Sequence, residues 1–268
     1  MWLARNVGKA VAGAGGIVPA SAPGAGSFTV SSFNVLGASH TGGHGKHPRM
    51  ASGAARTAGM VQVIVKHGID VAGLQEFQRS QWNAFKARAG GSFGMYAPPR
   101  TRTDNTIVWR RSMFDLMAAR SIAVPYFNGH RLRMPYVLLR YKATGRLYWL
   151  ADFHNPAETA QYHHQGRWRA KATAIEVRLA ARLGTTGTPV IVTGDMNEHH
   201  SYFCHMTASG EMHAAAGGGT GLPCRSPSYD GIDWIFGSRN VRFGHHLVDD
   251  SALVDRTTDH PVVIATVR

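Results

Sequence analysis

The stretch VTGDMNEHH, residues 192–200, sets an aspartate, an asparagine, a glutamate and two histidines directly after a β-branched run that ends in glycine. Carboxylate, amide and imidazole groups so close together can ligate a metal, move a proton or hydrogen-bond an anion. Asp195 and Asn197 fall at the end of the apolar strand PVIVTGD, whereas Glu198, His199 and His200 read as the start of a helix with solvent-facing histidines. Other chemistry-bearing residues hold similar places. Asn34 follows SFTVSSF, Glu76 follows DVAGLQ, His154 follows LYWLADF, Asp233 heads DWIF, and Asp259 with His260 precedes PVVIATV. Taken singly, each has the type of an ordinary cap, turn former or hydrogen-bonded structural residue.

The elements that position them are legible in outline. SFTVSSFNV is a strand by its β-branched and aromatic content, and HTGGHGKHP after it is a loop. Its His40, His44 and His47 have glycine-rich spacing that preorganises no transition-metal site, so a mobile loop at the mouth of the site is expected. MASGAARTAGMVQVIVKHG carries Met60, Val63, Ile64 and His67 at helical spacing and stops at Gly68. DVAGLQEF is a buried strand, and TIVWR, FDLMA, YVLLRY and LYWLADF follow as an antiparallel meander. The spacing then predicts a helix over 158–183, with Trp168, Ala172, Ile175, Leu179 and Leu183 on one stripe. Arg167, Lys171, Arg178 and Arg182 lie on the adjoining stripe as a solvated basic flank, from which Arg167 and Lys171 are candidate substrate contacts. A helix, a glycine-rich loop and the strands IDWIF, VRFGHHLV and PVVIATV complete an α/β pattern without internal repeats.

With 268 residues, 44% of them hydrophobic, the chain can build one large core. One domain is expected over 27–268, preceded by a leader over 1–26. Arg5, Lys9 and the small-residue ASA give that leader some features of a signal segment, but its glycine content favours a flexible leader. No stretch of about 18 apolar residues is present to cross a membrane. A net charge of +13 favours polyanionic partners, nucleic acid or an anionic lipid surface. The only cysteines, Cys204 and Cys224, exclude a disulfide-rich scaffold and a four-cysteine zinc site. A bridge between them would staple the AAGGGTG loop in an oxidising compartment, and two reduced thiols are the alternative. Secretion, from the leader and the cysteine pair, and a cytoplasmic location both stay open.

In chain order, SSFNV, GLQEF, ADFHNP, TGDMNE, GIDWIF and TDHPV resemble the successive motifs of the endonuclease/exonuclease/phosphatase superfamily. This is the fold of pancreatic-type deoxyribonuclease, abasic-site endonucleases, neutral sphingomyelinases and inositol polyphosphate phosphatases. The resemblance runs from about Ser27 to the C-terminus. It implies a four-layer α/β sandwich of two packed, mainly antiparallel β-sheets flanked by helices. It also implies Glu76 as principal ligand of Mg2+, with Mn2+ or Ca2+ as alternatives, Asn34 as a neutral ligand or orienter beside it, and Asp259 near the metal. His260 would contact the scissile phosphate, oriented by Asp233 from its far side. Asn197 would donate to developing oxyanion charge and Asp195 would position the attacking water, with Asp195 or His260 as general base. His154 stands where typical abasic-site endonucleases carry tyrosine, which argues against a dedicated repair enzyme. Asn105 is a substrate contact by the same analogy, although with Arg102 and Asp104 it also reads as a turn former.

These expectations converge on a Mg2+-dependent phosphodiester hydrolase acting on nucleic acid as a monomer, most simply a nonspecific DNA endonuclease. A sphingomyelinase or phospholipase C-like enzyme is the rival, for which AVPYFNGH is the candidate membrane-engaging hairpin. The non-enzymatic rival is a nucleic-acid-binding module that keeps the fold without activity.

Overall fold

The runs read as strands assort into two six-stranded sheets. The computed structural model describes residues 26–42, 45–99 and 104–268, so the leader before residue 26, His44 and Arg102 lie outside the described residues. The first sheet contains β1 (Phe28–Asn34), β2 (Val71–Gln75), β3 (Phe93–Tyr96), β4 (Asn105–Arg110), β11 (Phe243–Asp249) and β12 (Val262–Val267), in the order β11-β12-β1-β2-β4-β3. The second contains β5 (Phe114–Pro125), β6 (Arg131–Tyr141), β7 (Leu147–His154), β8 (Val190–Asp195), β9 (Met212–Ala214) and β10 (Asp233–Ser238), in the order β5-β6-β7-β8-β10-β9.

Each sheet has one parallel pair, β1–β2 and β7–β8, and its other pairs are antiparallel. A parallel pair needs a crossover, supplied by α1 (Gly53–Lys66) in the first sheet and α3 (Gly166–Gly184) in the second. Both strands of a parallel pair end at the same edge of the sheet. The C-terminal ends of β1, β2, β7 and β8 therefore present Asn34, Gln75, His154 and Asp195, and the antiparallel neighbours β4 and β10 start there with Asn105 and Asp233.

Three apolar clusters hold four layers together. Phe28, Val30, Ile107, Val137, Leu150, Ile191 and Val263 fill the space between the sheets. Met60, Val63 and Ile64 of α1 and Phe85 of α2 (Arg79–Ala89) cover the outer face of the first sheet. Ala172, Leu179 and Leu183 of α3, with Tyr202 and Phe203 of α4 (His200–Thr207), cover the second. The sandwich is the expected one. Among the described residues no helix is long and apolar enough to cross a membrane.

Local differences have local causes. The helix expected over 158–183 begins only at Gly166, because His164 takes a left-handed φ of 58° and the Glu158 carboxylate accepts the Gln165 N–H at 2.7 Å, shaping a loop instead. α2 and β3 had no clear signal. α2 buries Gln81, Phe85 and Ala89, a single large apolar side chain, so its periodicity is faint. His199 precedes α4 and His200 opens it; both face Asp230, in line with the solvent-facing start expected there.

A polar seam crosses the apolar layer between the sheets. Asp152 of β7, fully buried, accepts from Gln75 Nε2 of β2 at 2.6 Å and from Thr193 Oγ1 of β8 at 2.9 Å. Gly73 of β2 is required there, since a Cβ on it would lie 2.1 Å from both Asp152 Oδ1 and Thr193 Oγ1. Burial raises the Asp152 pKa well above its ordinary value, against the hydrogen bonds from Gln75 and Thr193 and with help from the charge of Asp195. The native state then keeps a proton that the unfolded chain loses near pH 3.8, so stability falls as pH rises from there towards the raised native pKa. Asp152→Asn should remove this loss, and its melting temperature relative to wild type should climb as the pH is raised above the ordinary carboxylate value. A pH-independent difference would contradict a protonated Asp152.

Cys204 of α4 and Cys224 are joined in a disulfide that closes a loop over a sequence separation of 20. In the chain-entropy model such a loop contributes about 3 kcal/mol. Cys204→Ser should lower the urea-unfolding free energy by about that amount, with an m-value at least as large as that of wild type because the unfolded chain is no longer cross-linked. An unchanged midpoint would show that the bridge does not constrain the unfolded chain.

Candidate active site

Strand pairing aligns several of the predicted residues within each sheet. Asp195 is the Cα partner of His154 in the parallel β7–β8 pair and of Asp233 in the antiparallel β8–β10 pair. Across the sandwich Asn34 pairs with Gln75, and Gln75 with Asn105. Asp259 and His260 form the turn that enters β12.

Asp195 is the hub. Its Oδ2 accepts from Asn34 Nδ2 at 3.0 Å and lies 3.4 Å from His154 Nε2 and 3.8 Å from His260 Nε2. Its Oδ1 accepts the Asn197 N–H at 3.0 Å, which stabilises the left-handed φ of 48° at Asn197 and directs the Asn197 amide onto the Asn155 carbonyl at 2.8 Å. Glu76 also has a left-handed backbone, with φ of 60°. Holding a residue with a Cβ there costs on the order of 1–3 kcal/mol, a strain that turns both side chains towards the site.

Asn34 spans the two sheets. Its Oδ1 accepts the Leu36 N–H at 3.0 Å, so its NH2 must face the carboxylates, donating to Glu76 Oε1 at 3.2 Å as well as to Asp195. Of the two roles expected for Asn34, orienter and ligand, this hydrogen-bond pattern fits the orienter.

The acids differ in access. Glu76 and Asp259 have side chains 21% and 25% exposed, while those of Asp195 and Asp233 are buried. Burial opposes the charge on Glu76, but His40, His154 and the Gly37 N–H outweigh it and hold its pKa well below the carboxylate range. An ionised, partly open carboxylate suits a hard divalent cation, which takes few protein oxygens and keeps several waters. Asp195, Asp233 and His260 also bring ligand atoms within 4.8 Å of one another. His260 Nδ1, however, is 2.9 Å from Asp233 Oδ2. Burial disfavours its charge, but the bond to Asp233 and the charges of Asp233, Asp195 and Asp259 prevail and raise its pKa. A protonated imidazole has no lone pair for a metal, so this trio suits proton handling. Burial and the charge of Asp195 likewise raise the Asp233 pKa.

Not every candidate joins the cluster. Asn105 is buried as the first residue of β4, in a strand rather than a turn, and its Oδ1 has no hydrogen-bond partner among the described residues. Arg167 and Lys171 lie over the Trp168 indole, 4.8 and 4.6 Å from its centroid, and among the described residues form no ion pair with the carboxylate cluster. Other residues enter unannounced. The loop at the mouth is tied down at both ends, His40 Nε2 to Glu76 at 3.3 Å and His47 Nε2 to Asp259 at 2.9 Å. The Tyr126 ring packs edge-on against His154 at 5.5 Å. The buried Arg56 guanidinium binds the carbonyls of Val35, Leu36 and Thr257, bracing the ends of β1 and the Asp259 turn. Spacing gives no sign of Arg56, whose helical position looks ordinary, although a cluster of three histidines near a strand end was a signal for His40 and His47.

A model of the endonuclease/exonuclease/phosphatase family matches residues 31–260, the span that holds every residue of this cluster. The chain belongs to that family. Its members are hydrolases of phosphoesters and generally depend on divalent metals. No curated protein matches the chain in sequence. Solved structures share the fold at low identity. A family protein from Bacteroides thetaiotaomicron has a TM-score of 0.70 at 17% identity, covering 90% of this chain and 97% of its own. The human Nocturnin catalytic domain with bound sulfate gives 0.68 at 16%, covering 90% and 94%. D. rerio TDP2 complexed with single-strand DNA product gives 0.67 at 17%, covering 91% and 99%.

The His260–Asp233 pair is open to direct test. In an NMR titration the His260 ring should protonate above the ordinary 6.5, and Asp233→Asn should bring the midpoint down. Equal midpoints in the two proteins would show that Asp233 does not hold the proton on His260.

Proposed function

We propose that the protein is a divalent-metal-dependent phosphodiesterase acting on nucleic acid, most simply a nonspecific DNA endonuclease. The observation that carries the reading is the convergence of His154, His260 and Asn34 on one carboxylate oxygen of Asp195, with Glu76 bonded to the same Asn34. Glu76 and Asp259 would hold the cation, Mg2+ in the first instance. When bound, it neutralises charge on the phosphoryl oxygens.

The remaining work falls to side chains of the protein. His154 and Asn197 donate to the non-bridging oxygens, where charge develops. His260, kept protonated by Asp233, contacts the phosphate through Nε2, which leaves Asp195 as the acceptor for the proton of the attacking water. Asn34 holds Glu76 and Asp195 in fixed relation. Asn105, Arg167 and Lys171 are assigned to substrate beyond the reacting phosphate.

A nucleic-acid substrate is favoured by charge. The net charge is +13, and the exposed Arg120, Arg131 and Arg133 of the β5–β6 hairpin form no ion pair among the described residues. The TDP2 neighbour carries a DNA product. A lipid substrate is disfavoured at the hairpin tip, where Tyr126 turns inward onto His154 and Phe127 stacks on Tyr162 at 4.3 Å instead of projecting. Every group of the proposed site comes from one chain, so the chemistry needs no residue from a second copy, and the disulfide favours an oxidising compartment.

With supercoiled plasmid and Mg2+, nicking should appear and be abolished by chelator. Glu76→Ala, His154→Ala and His260→Ala should each lower the rate by on the order of 10² or more while folding normally. Full activity in all three variants would dismiss the site. Phosphocholine release from sphingomyelin without any nicking would dismiss the substrate.

A further inference from the structure

The packed face of α3 carries an acid that the reaction does not use. Glu176 is fully buried, and no cation pairs with it among the described residues. Its Oε2 accepts from Asn155 Nδ2 at 3.3 Å, and the buried Tyr202 hydroxyl of α4 lies against it. Burial pushes its pKa up to about 8, against the effects of Tyr202 and Asn155 and with the charge of Glu198, so the carboxyl is mostly neutral at pH 7. A neutral acid has both a donor and an acceptor to offer a buried polar neighbour.

That neighbour is Asn155, itself fully buried. Its N–H donates to the Asp195 carbonyl at 2.9 Å, its carbonyl accepts from Asn197 Nδ2 at 2.8 Å, and it directly follows His154. One residue thus touches the ends of β7 and β8 and the strained turn at Asn197. Glu176 is the side chain that holds its amide.

We propose that Glu176 is a positioning residue, which through the Asn155 amide sets the direction in which Asn197 and His154 face the substrate phosphate. This rests on the site assignment above, in which those two side chains donate to the phosphate. A misplacement of about 1 Å at such donors can cost up to on the order of 100-fold in rate, whereas an acid that merely fills the core would affect stability alone.

The test compares Glu176→Gln, Glu176→Leu and Asn155→Ala in the full chain. The glutamine can still accept from Asn155 and donate, the leucine can do neither, and Asn155→Ala cuts the same link without altering the helix. With bis(p-nitrophenyl) phosphate and Mg2+, Glu176→Leu and Asn155→Ala should lower kcat by about 10- to 100-fold with KM little changed, and Glu176→Gln should stay within about 2-fold of wild type. In 15N-labelled protein the side-chain NH2 signal of Asn197 should move in Glu176→Leu and Asn155→Ala and remain in place in Glu176→Gln. If Glu176→Leu does not fold, Asn155→Ala alone decides. Unchanged kcat and an unchanged Asn197 signal in Asn155→Ala overturn the proposal. If wild type hydrolyses no phosphodiester, the proposed function fails, and the Asn197 signal still decides the positioning role.

Discussion

The two sheets meet across a buried polar seam, and the site depends on that seam being in register. Asn34 of the first sheet donates to Asp195 of the second at 3.0 Å, and one layer below, Gln75 of the first sheet donates to Asp152 of the second at 2.6 Å. The apolar side chains around them supply most of the stabilisation, but burial of apolar area has no direction and would tolerate small sliding of one sheet over the other. Buried hydrogen bonds do not, because a donor or acceptor left without its partner costs about 1–3 kcal/mol. Gly73 adds a steric condition, since its missing Cβ makes the room that Asp152 and Thr193 occupy.

That registration explains why the acids of the seam and the site behave differently. Asp152 lies deep, receives only neutral donors, and its pKa rises. Glu76, nearer the mouth, has His40 and the Gly37 N–H beside it, and its pKa falls. Asp233 and His260 share a proton between the two extremes. Different neighbours around buried acids thus produce a charged carboxylate where a cation could be held and protonated groups where protons could be handed over.

The parallel pairs β1–β2 and β7–β8 were readable in part. Their apolar runs, the helix stopping at Gly68 and the stripe on α3 all follow from side-chain periodicity, and the polar residue closing each run marked a strand end. The ordered motifs then identified the fold and gathered Asn34, Glu76, His154, Asp195, Asn197, Asp233, Asp259 and His260 before any geometry was known. Periodicity failed where it carries little information. It placed eight loop residues in α3, whose true start depends on the Glu158 carboxylate and the left-handed His164, and it overlooked α2, which buries a glutamine as part of its inner face.

By itself the sequence determined most of the elements, the two-sheet class and which residue types stand at strand ends, since those follow from local pattern and, for the class, from motif order. Tertiary structure decided the partners. That His40 and His47 pair with Glu76 and Asp259, that Arg56 braces the turn beside Asp259, that Asn34 donates to Glu76 and Asp195, and that Cys204 bonds to Cys224 are all contacts across long sequence separations. Protonation states belong to the same class. A carboxylate's pKa depends on how much water it loses and which charges approach it, and neither quantity exists until the sheets have closed over the seam.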